Sequence, residues 1–369
     1  QAISPYTGDL VDLATASHGR SIFTYLCPTT GKEFDVLGTM PEVPSAKLIS
    51  DRFEVGRNFC NKLLNAVRFA LMNLQDTTFT PRRCQDLADE DRWLLSRLSY
   101  AISTVQAQLA AYNPSAALAT AREFFWSELC DWYLEFIKPR LRDAAQAPMA
   151  RQVLAVAIDQ VLRLLHPFVP FLTEALWEPL CEQVPVRGLE VPLPTAALVI
   201  HAAWPEANLA WRDEPLETRM LFLQDIVRGI RDLRSKYTLP PQAKVPVQIR
   251  LSDDAATTLR AWTDLLTTMA GLESVQIAAD MQRAPDAATA VIGQAEVYIP
   301  GVVDVGKERA RLSKQREQLL GRIEGSRRKL SNADFLRKAS PDVVQKERDR
   351  LVDSETQMEN VEATLALLS

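Results

Sequence analysis

The segment FEVGRNFCNKLLNAVRFALMNL, residues 53–74, places its apolar side chains at spacings of three and four residues, the pattern of an amphipathic helix. Three further long segments share this pattern: DRWLLSRLSYAISTVQAQLAAY (91–112), PSAALATAREFFWSELCDWYLEFIKPRL (114–141) and MARQVLAVAIDQVLRLLHPFVPFLTEALWEPL (149–180). Short polar links join the four segments, so an antiparallel bundle is the economical way to bury their apolar faces. The sequence therefore predicts a mainly α fold.

Three prolines and one asparagine mark helix ends within this bundle. Asn113 can cap the third helix, and Pro114 suits its first position because proline needs no backbone N–H there. Pro167 and Pro170 remove N–H donors inside the fourth segment. We expect the fourth helix to kink or restart at that point.

The regions flanking the four helices have other patterns. Residues 1–50 are rich in Thr, Gly, Pro and Ser and contain one short helical pattern at 10–26, which favours a small cap or the tail end of another domain. A helix at 216–237 extends the predicted bundle to 51–240. Beyond it, β-like runs and one helical segment predict a small α/β linker unit over 241–303, with at least three short strands.

The last predicted unit, residues 304–369, contains two heptad repeats. The apolar seam of the first repeat is Val305, Leu312, Leu319, Ile323 and Leu330, and that of the second is Val344, Leu351, Met358, Val361, Leu365 and Leu368. A short polar turn separates the repeats, so they predict an antiparallel coiled-coil hairpin. Helices of about 25 residues would extend roughly 38 Å, which describes a protruding arm.

Composition places the chain among ordinary globular proteins. Its 369 residues include 47% hydrophobic and 24% charged residues, and this length favours two or three structural units. Five scattered cysteines, without a C-x-x-C pair, indicate free thiols in a reducing compartment and no zinc site. We expect a cytoplasmic protein, because neither a leader peptide nor a membrane-spanning segment is indicated.

Charge is distributed unevenly along this chain. The formal net charge is −5, yet residues 306–350 contain fourteen basic and seven acidic side chains. A thin, positively charged arm suits contact with nucleic-acid phosphates, because each neutralised phosphate releases a counterion. On charge alone, a coiled-coil face that contacts only solvent explains these residues equally well. A cationic cluster around the turn, Arg327, Arg328, Lys329, Arg337 and Lys338, strengthens the nucleic-acid interpretation.

The first bundle helix also has a polar face. Arg57, Asn61, Asn65 and Arg68 share one side of the helix, opposite Phe59, Leu63 and Val67. Asparagine is a poor residue in a helix interior, so its amides need compensating partners. Those partners could be neighbouring loops of the bundle or the bases and phosphates of an RNA.

Several of these stretches resemble one protein family. The segments at 53–74, 124–141, 165–180 and 230–247 are similar to the anticodon-binding bundle of class Ia aminoacyl-tRNA synthetases. The stretch RLSKQREQLLGRIEGSRRKLSNADFLRKASPDVVQKERDRL, residues 311–351, resembles the C-terminal coiled-coil arm of the valyl branch. HIGH-like and KMSKS-like signatures and a Rossmann glycine pattern are absent from the sequence.

The resemblance implies a tRNA-binding portion of a valine–tRNA ligase, with valine-specific tRNA as partner. ATP would be a substrate of the full-length ligase, with no cofactor, metal or catalytic residue on this chain, which alone should be inactive. The full-length enzyme would be a monomer. Matched positions imply bundle contacts by Arg57, Asn58, Asn61, Lys62, Asn65 and Arg68. They imply arm contacts by Arg309, Arg311, Lys314, Arg316, Arg322, Arg327, Arg328, Lys329, Arg337 and Lys338.

Two alternatives remain open at this point. The chain could be a free-standing RNA-binding protein derived from a synthetase, or a helical scaffold whose coiled coil binds a protein. The residues offer no independent catalytic set, since His18, His166 and His201 are isolated from one another in the sequence. His166 precedes Pro167 in an apolar run, which favours a structural role.

Overall fold

The computed structural model describes the backbone of residues 1–48, 51–332 and 341–367. The chain divides into two compact units, Gln1–Arg212 and Asp213–Ser369. This division falls inside the range predicted for the bundle, and the predicted domain boundaries stay predictions.

The N-terminal residues form two small antiparallel sheets. One sheet has the order β2-β1-β5, built from β1 (Ala2–Ile3), β2 (Leu10–Val11) and β5 (Lys47–Leu48), and the other pairs β3 (Thr24–Leu26) with β4 (Glu33–Asp35). Ala2, Val11, Cys27 and Phe34 form their buried cluster.

The helix predicted at 10–26 is wrong, because local polar side chains close turns there instead. The Asp12 carboxylate accepts a hydrogen bond from the backbone N–H of Ala14 at 3.1 Å. The Thr24 hydroxyl accepts one from Ser21 N–H at 2.9 Å. Short polar side chains compete with helical hydrogen bonds in this way.

The predicted helical bundle is confirmed in the first unit. It contains α1 (Asp51–Asn73), α2 (Asp89–Ala110), α3 (Pro114–Glu123), α4 (Leu134–Arg142), α5 (Ala147–Leu165) and α6 (Pro170–Gln183). Helix α5 is the central element, since α1, α2, α3, α4 and α6 all pack against it. It is buried continuously from Gln152 to Leu165.

The predicted helix ends are also confirmed. The Asn113 side chain accepts a hydrogen bond from Ala116 N–H at 3.1 Å, and Pro114 is the first residue of α3. Helix α5 ends at Leu165 and α6 begins at Pro170, so the chain restarts where Pro167 and Pro170 interrupt the N–H donors.

Between α3 and α4 the chain forms a π-helical segment, Phe124–Tyr133. Its wider turn changes the register of the side chains around the axis, and such turns are rare in proteins. Phe124, Phe125, Trp132 and Tyr133 are all buried here. Hydrophobic spacing predicts one continuous helix over 114–141 and does not distinguish the two geometries.

A buried charge network joins α2 to α4. The Arg140 guanidinium donates to the carboxylates of Glu90 at 2.6 Å and Asp91 at 2.8 Å, and the Tyr133 hydroxyl donates to Asp91 at 2.8 Å. Burial and the charge of Asp91 raise the pKa of Tyr133 well above its usual value. Burial opposes the charge of Arg140, but the hydrogen bond and charge of Asp91 outweigh it and raise the Arg140 pKa.

The second unit begins with α7 (Glu214–Lys236), which packs on a mixed sheet. The sheet has the order β7-β6-β9-β8, with β6 (Val245–Arg250), β7 (Leu272–Ala278), β8 (Ala288–Ile292) and β9 (Ala295–Ile299). Helices α8 (Asp253–Ala261) and α9 (Thr263–Ala270) connect the parallel pair β6 and β7. The three predicted strands are present, and β8 adds a fourth.

The chain continues into two long helices, α10 (Val305–Ser331) and α11 (Pro341–Leu367). Leu312, Leu319 and Ile323 of α10 form a buried cluster with Met358 and Val361 of α11. The end of α10 contacts the start of α11, since Ser326 Oγ lies 2.8 Å from the Glu347 carboxylate. The two helices therefore run in opposite directions, as predicted.

A coiled coil requires more than an antiparallel helical pair, because its two helices must supercoil around each other. The predicted coiled coil therefore stays a prediction. Leu351 and Leu365 pack against the cluster as the heptads predict. The side chains of Val305 and Leu368 lie outside the described residues.

Arg140→Met should lower the free energy of unfolding by about 3–5 kcal/mol, because it leaves the buried carboxylates of Glu90 and Asp91 without their cation. Lys138→Met on the same helix removes an exposed 2.6 Å pair with Glu135 and should cost less than about 1 kcal/mol. Chemical denaturation of both variants measures the difference. Equal losses would show that the network does not stabilise the bundle.

Candidate RNA-binding surfaces

The polar face of α1 is presented to solvent. Five of the predicted contact residues are exposed: Arg57, Asn58, Asn61, Asn65 and Arg68. The opposite face is buried through Phe59, Leu63 and Val67. This division confirms the amphipathic pattern read from the sequence.

The amides of Asn58, Asn61 and Asn65 have no hydrogen-bond partner among the side chains and backbone groups that the structure describes. Neighbouring loops of the described bundle therefore do not compensate them. Arg57 makes only a long 3.4 Å contact with Glu54 on its own helix, between two exposed side chains. We call this exposed row, Arg57, Asn58, Asn61, Asn65 and Arg68, the α1 polar row.

Lys62 occupies a different environment from the α1 polar row. Its Nζ lies 4.0 Å from the centroid of the Trp126 ring and 2.6 Å from the Asp131 carboxylate. Phe59 stacks against the same indole at a centroid distance of 6.5 Å. The ammonium is thus held by the π-helical segment, and a role for Lys62 in RNA contact stays a prediction.

Two tryptophans and one histidine of the first unit make contacts inside the bundle. Trp132 and Trp177 are both buried. His166 Nδ1 lies 2.8 Å from the Thr173 hydroxyl, across the break between α5 and α6. The described residues contain no group of three or more His, Cys, Asp or Glu side chains placed to hold a metal ion.

The basic side chains of α10 are exposed at most predicted positions. Arg309, Lys314, Arg316, Arg322, Arg327, Arg328 and Lys329 are all on the solvent-facing surface of this helix. Arg337 and Lys338 lie outside the described residues, and so does the side chain of Arg311. Contact of these residues with RNA stays a prediction.

Glu347 organises two of the cations on the helical pair. Its buried carboxylate accepts hydrogen bonds from Ser326 at 2.8 Å and Lys329 at 3.2 Å, and Arg350 lies 3.7 Å away. The hydrogen bond from Ser326, together with Lys329, lowers the pKa of Glu347. Glu347 is not among the residues predicted from the sequence, although a carboxylate between the seam residues Val344 and Leu351 is an available signal.

No helix in the described part of the chain has both the length and the apolar character required to cross a bilayer.

Two family models match this chain. One, described as the anticodon-binding domain of tRNA ligase, covers residues 91–249, and the other, described as the valyl tRNA synthetase tRNA binding arm, covers 304–369. The valine–tRNA ligase of Rhodopirellula baltica is 38% identical over 350 residues, which is 91% of this chain. The chain belongs to the valyl-tRNA synthetase family.

Other members of the valyl-tRNA synthetase family match similarly. The valine–tRNA ligase of Petrotoga mobilis is 34% identical over 327 residues, and that of Thermotoga maritima is 34% identical over 325. These alignments cover 88% and 86% of this chain. The chain spans about a third of its relatives' length, with 33% of the Rhodopirellula protein and 36% of the Petrotoga protein covered.

The chain corresponds to a C-terminal portion of a valyl-tRNA synthetase, outside the catalytic domain. The resemblance stated from the sequence is therefore confirmed. The free-standing RNA-binding protein and the protein-binding scaffold are not favoured. Helix α1 precedes the segment matched by the anticodon-binding family model, which begins at residue 91.

Lys62→Ala should lower the free energy of unfolding by about 1 kcal/mol, because it removes both the contact with Trp126 and the Asp131 ion pair. Arg68→Ala, on the exposed face of the same helix, should change stability by less than about 0.5 kcal/mol. Urea denaturation followed by tryptophan fluorescence compares the two variants. An effect of Arg68→Ala as large as that of Lys62→Ala would contradict the structural role of Lys62.

Proposed function

We propose that this chain binds valine-specific tRNA through two surfaces, as part of a ligase that attaches valine to that tRNA in an ATP-dependent reaction. The bundle would bind the anticodon stem and loop, and the α10–α11 pair would reach the outer corner where the D and T loops meet. The observation that carries the proposal is the pair of matched family models, whose descriptions name anticodon binding and tRNA binding.

The charge of the α10–α11 pair supports binding to a phosphate backbone. The chain as a whole has a net charge of −5, so attraction to RNA must come from local clusters. Exposed arginine and lysine side chains on α10 can replace the counterions around phosphates, which makes the affinity depend on salt. The exposed side chains of Arg322, Arg328 and Lys329 fit this role.

The α1 polar row supports a second kind of contact. Its three asparagine amides can each donate and accept hydrogen bonds, as base edges require, and its two arginines suit phosphates. Unpaired bases of a loop expose their hydrogen-bonding edges to such side chains. This chemistry suits an anticodon loop better than a continuous duplex.

Valine and ATP would bind to parts of the ligase outside this chain. The sequence has no signature typical of class I adenylate chemistry. The contribution of this chain to the reaction would be to bind and orient the tRNA. A cytoplasmic location and a monomeric ligase belong to the same proposal.

Charge reversal in the predicted cationic cluster around the turn should weaken tRNA binding. In the double variant Arg328→Glu and Lys338→Glu, we expect a loss of at least about tenfold in affinity and a salt slope reduced by about one unit per lost phosphate contact. The matched control reverses two exposed arginines elsewhere in the second unit, Arg219 and Arg283, with the same change in net charge. Filter binding or fluorescence anisotropy across a salt series measures both slopes. Failure of the unaltered chain to bind tRNA would reject the proposal.

Replacing Asn58, Asn61 and Asn65 by alanine should remove anticodon protection in a tRNA footprint and leave outer-corner protection intact. Alanine has the higher helix propensity, so α1 should be retained or slightly stabilised by about 0.5 kcal/mol per residue. Footprinting with valine-specific tRNA and a non-cognate tRNA reports both surfaces in one experiment. Unchanged anticodon protection would exclude the α1 polar row as the contact.

A further inference from the structure

A polar groove runs along one flank of the α10–α11 pair. Its cavity of about 510 Å³ is lined by Arg322, Lys329 and Arg350, together with Glu347 and Asp353. A second cavity of about 350 Å³ shares Arg322 and Gln357 with the first and continues along α10 to Lys314. The two cavities therefore form one continuous groove, which we call the Arg322 groove.

The charges of the Arg322 groove favour an anion. Four cations line it, Lys314, Arg322, Lys329 and Arg350, against two carboxylates. One of these carboxylates, Glu347, is turned inward, because it is 7% exposed and accepts hydrogen bonds from Ser326 and Lys329. Arg322 makes no ion pair with a side chain that the structure describes.

The neutral lining also suits a sugar–phosphate backbone. Hydroxyl groups of Ser326 and Ser354 and amides of Gln315, Gln318 and Gln357 complete the walls. Such groups are common hydrogen-bonding partners of phosphate oxygens and of ribose 2′-hydroxyls. Leu319 is the single apolar residue among the described linings of the two cavities.

The opposite flank of the pair has a different character. Successive residues of a helix are about 100° apart, so Arg316 lies about 120° around α10 from Arg322. Arg327 is paired with Glu355 of α11 at 2.6 Å, and neither residue lines the groove. Two exposed apolar residues of this helical pair, Leu320 and Val352, also lie outside the groove linings. The flanks are thus distinguishable by mutation.

Gly325 forms part of the groove wall within a 27-residue helix. Glycine is less favourable than alanine in a helix interior. A Cβ at Gly325 would meet no described atom within 4 Å, so packing within the hairpin does not require a glycine. The absence of a side chain leaves room for close approach from outside.

We propose that the backbone of the bound RNA lies along the Arg322 groove, where Arg322, Lys329 and Arg350 contact successive phosphates and Gly325 permits close approach. This inference rests on the proposed function, and it specifies which flank of the arm faces the RNA. The opposite flank, with Arg316 and Arg327, faces away from it.

The test compares charge reversals on the two flanks in the full chain. Arg322→Glu should weaken binding of a valine-specific tRNA transcript by about tenfold or more and lower the salt slope by about one unit. Arg316→Glu changes the net charge equally and should weaken binding by less than about threefold. Both changes alter long-range attraction alike, so the difference between them reports local contact.

Glycine-to-alanine substitutions add a second readout, because they should stabilise helix α10 while one of them weakens tRNA binding. Gly321 also has no described atom within 4 Å of a built Cβ, but it does not line the groove. Gly325→Ala and Gly321→Ala should each slow hydrogen exchange of nearby α10 amides by up to about fivefold, since alanine favours the helix. Gly325→Ala should also weaken tRNA binding by at least about threefold, and Gly321→Ala should not.

The outcomes separate this inference from the proposed function. If the unaltered chain fails to bind tRNA, the proposed function fails. If it binds and Arg316→Glu is as damaging as Arg322→Glu, the groove assignment is overturned while the function stands. The groove assignment is also overturned if Gly325→Ala slows exchange without any loss of affinity. Binding that is insensitive to salt and competed by protein instead of tRNA would indicate a protein partner.

Discussion

The enclosed helix Ala147–Leu165 imposes the constraint on which the first unit depends. It has no exposed stripe between Gln152 and Leu165, so every polar group in that stretch must find a partner inside the protein. Asp159 is completely buried and is bonded to Arg163 at 2.7 Å and to Arg187 at 2.8 Å. An unpaired charge at this depth would cost several kcal/mol, and this requirement fixes the segment that supplies Arg187.

The same segment is held by further contacts. The guanidinium groups of Arg163 and Arg187 lie 5.0 and 4.9 Å from the Trp177 ring. The indole N–H of Trp177 donates to the Ala196 carbonyl at 2.9 Å, which ties the irregular chain after α6 to the bundle. The central helix thus positions its neighbours through charge as well as through apolar packing. A bundle fixed in this way can present α1 as a rigid surface.

The two candidate RNA surfaces follow different physical rules. On α1 the apolar face is used by the core, so the amides on the other face are placed in solvent without described partners. On the α10–α11 pair the apolar side chains of the seam pack between the helices, and the exposed surface of α10 carries many basic side chains. The first surface suits specific hydrogen bonds to unpaired bases, while the second suits salt-dependent contact with phosphates. As proposed, the two surfaces would together provide both kinds of contact that RNA recognition uses.

The sequence by itself determined the helices of the bundle, because their apolar spacing is long and regular. It also determined the ends at Asn113, Pro114 and Pro170, since caps and prolines act through local backbone chemistry. The heptads predicted the pairing of α10 and α11, and the stretch at 311–351 indicated the family. These features depend on residues that are close together in the chain.

Tertiary structure alone decided the features that depend on distant residues. The π-helical segment Phe124–Tyr133 could not be predicted, because apolar spacing over 114–141 does not distinguish a π-helix from an α-helix. The position of Lys62 was decided by Trp126 and Asp131, which lie more than sixty residues away. The Arg322 groove exists only where two helices meet, because its charges are shared between them. A linear pattern specifies which side chains are available, but folding decides which of them are neutralised, buried or left facing solvent.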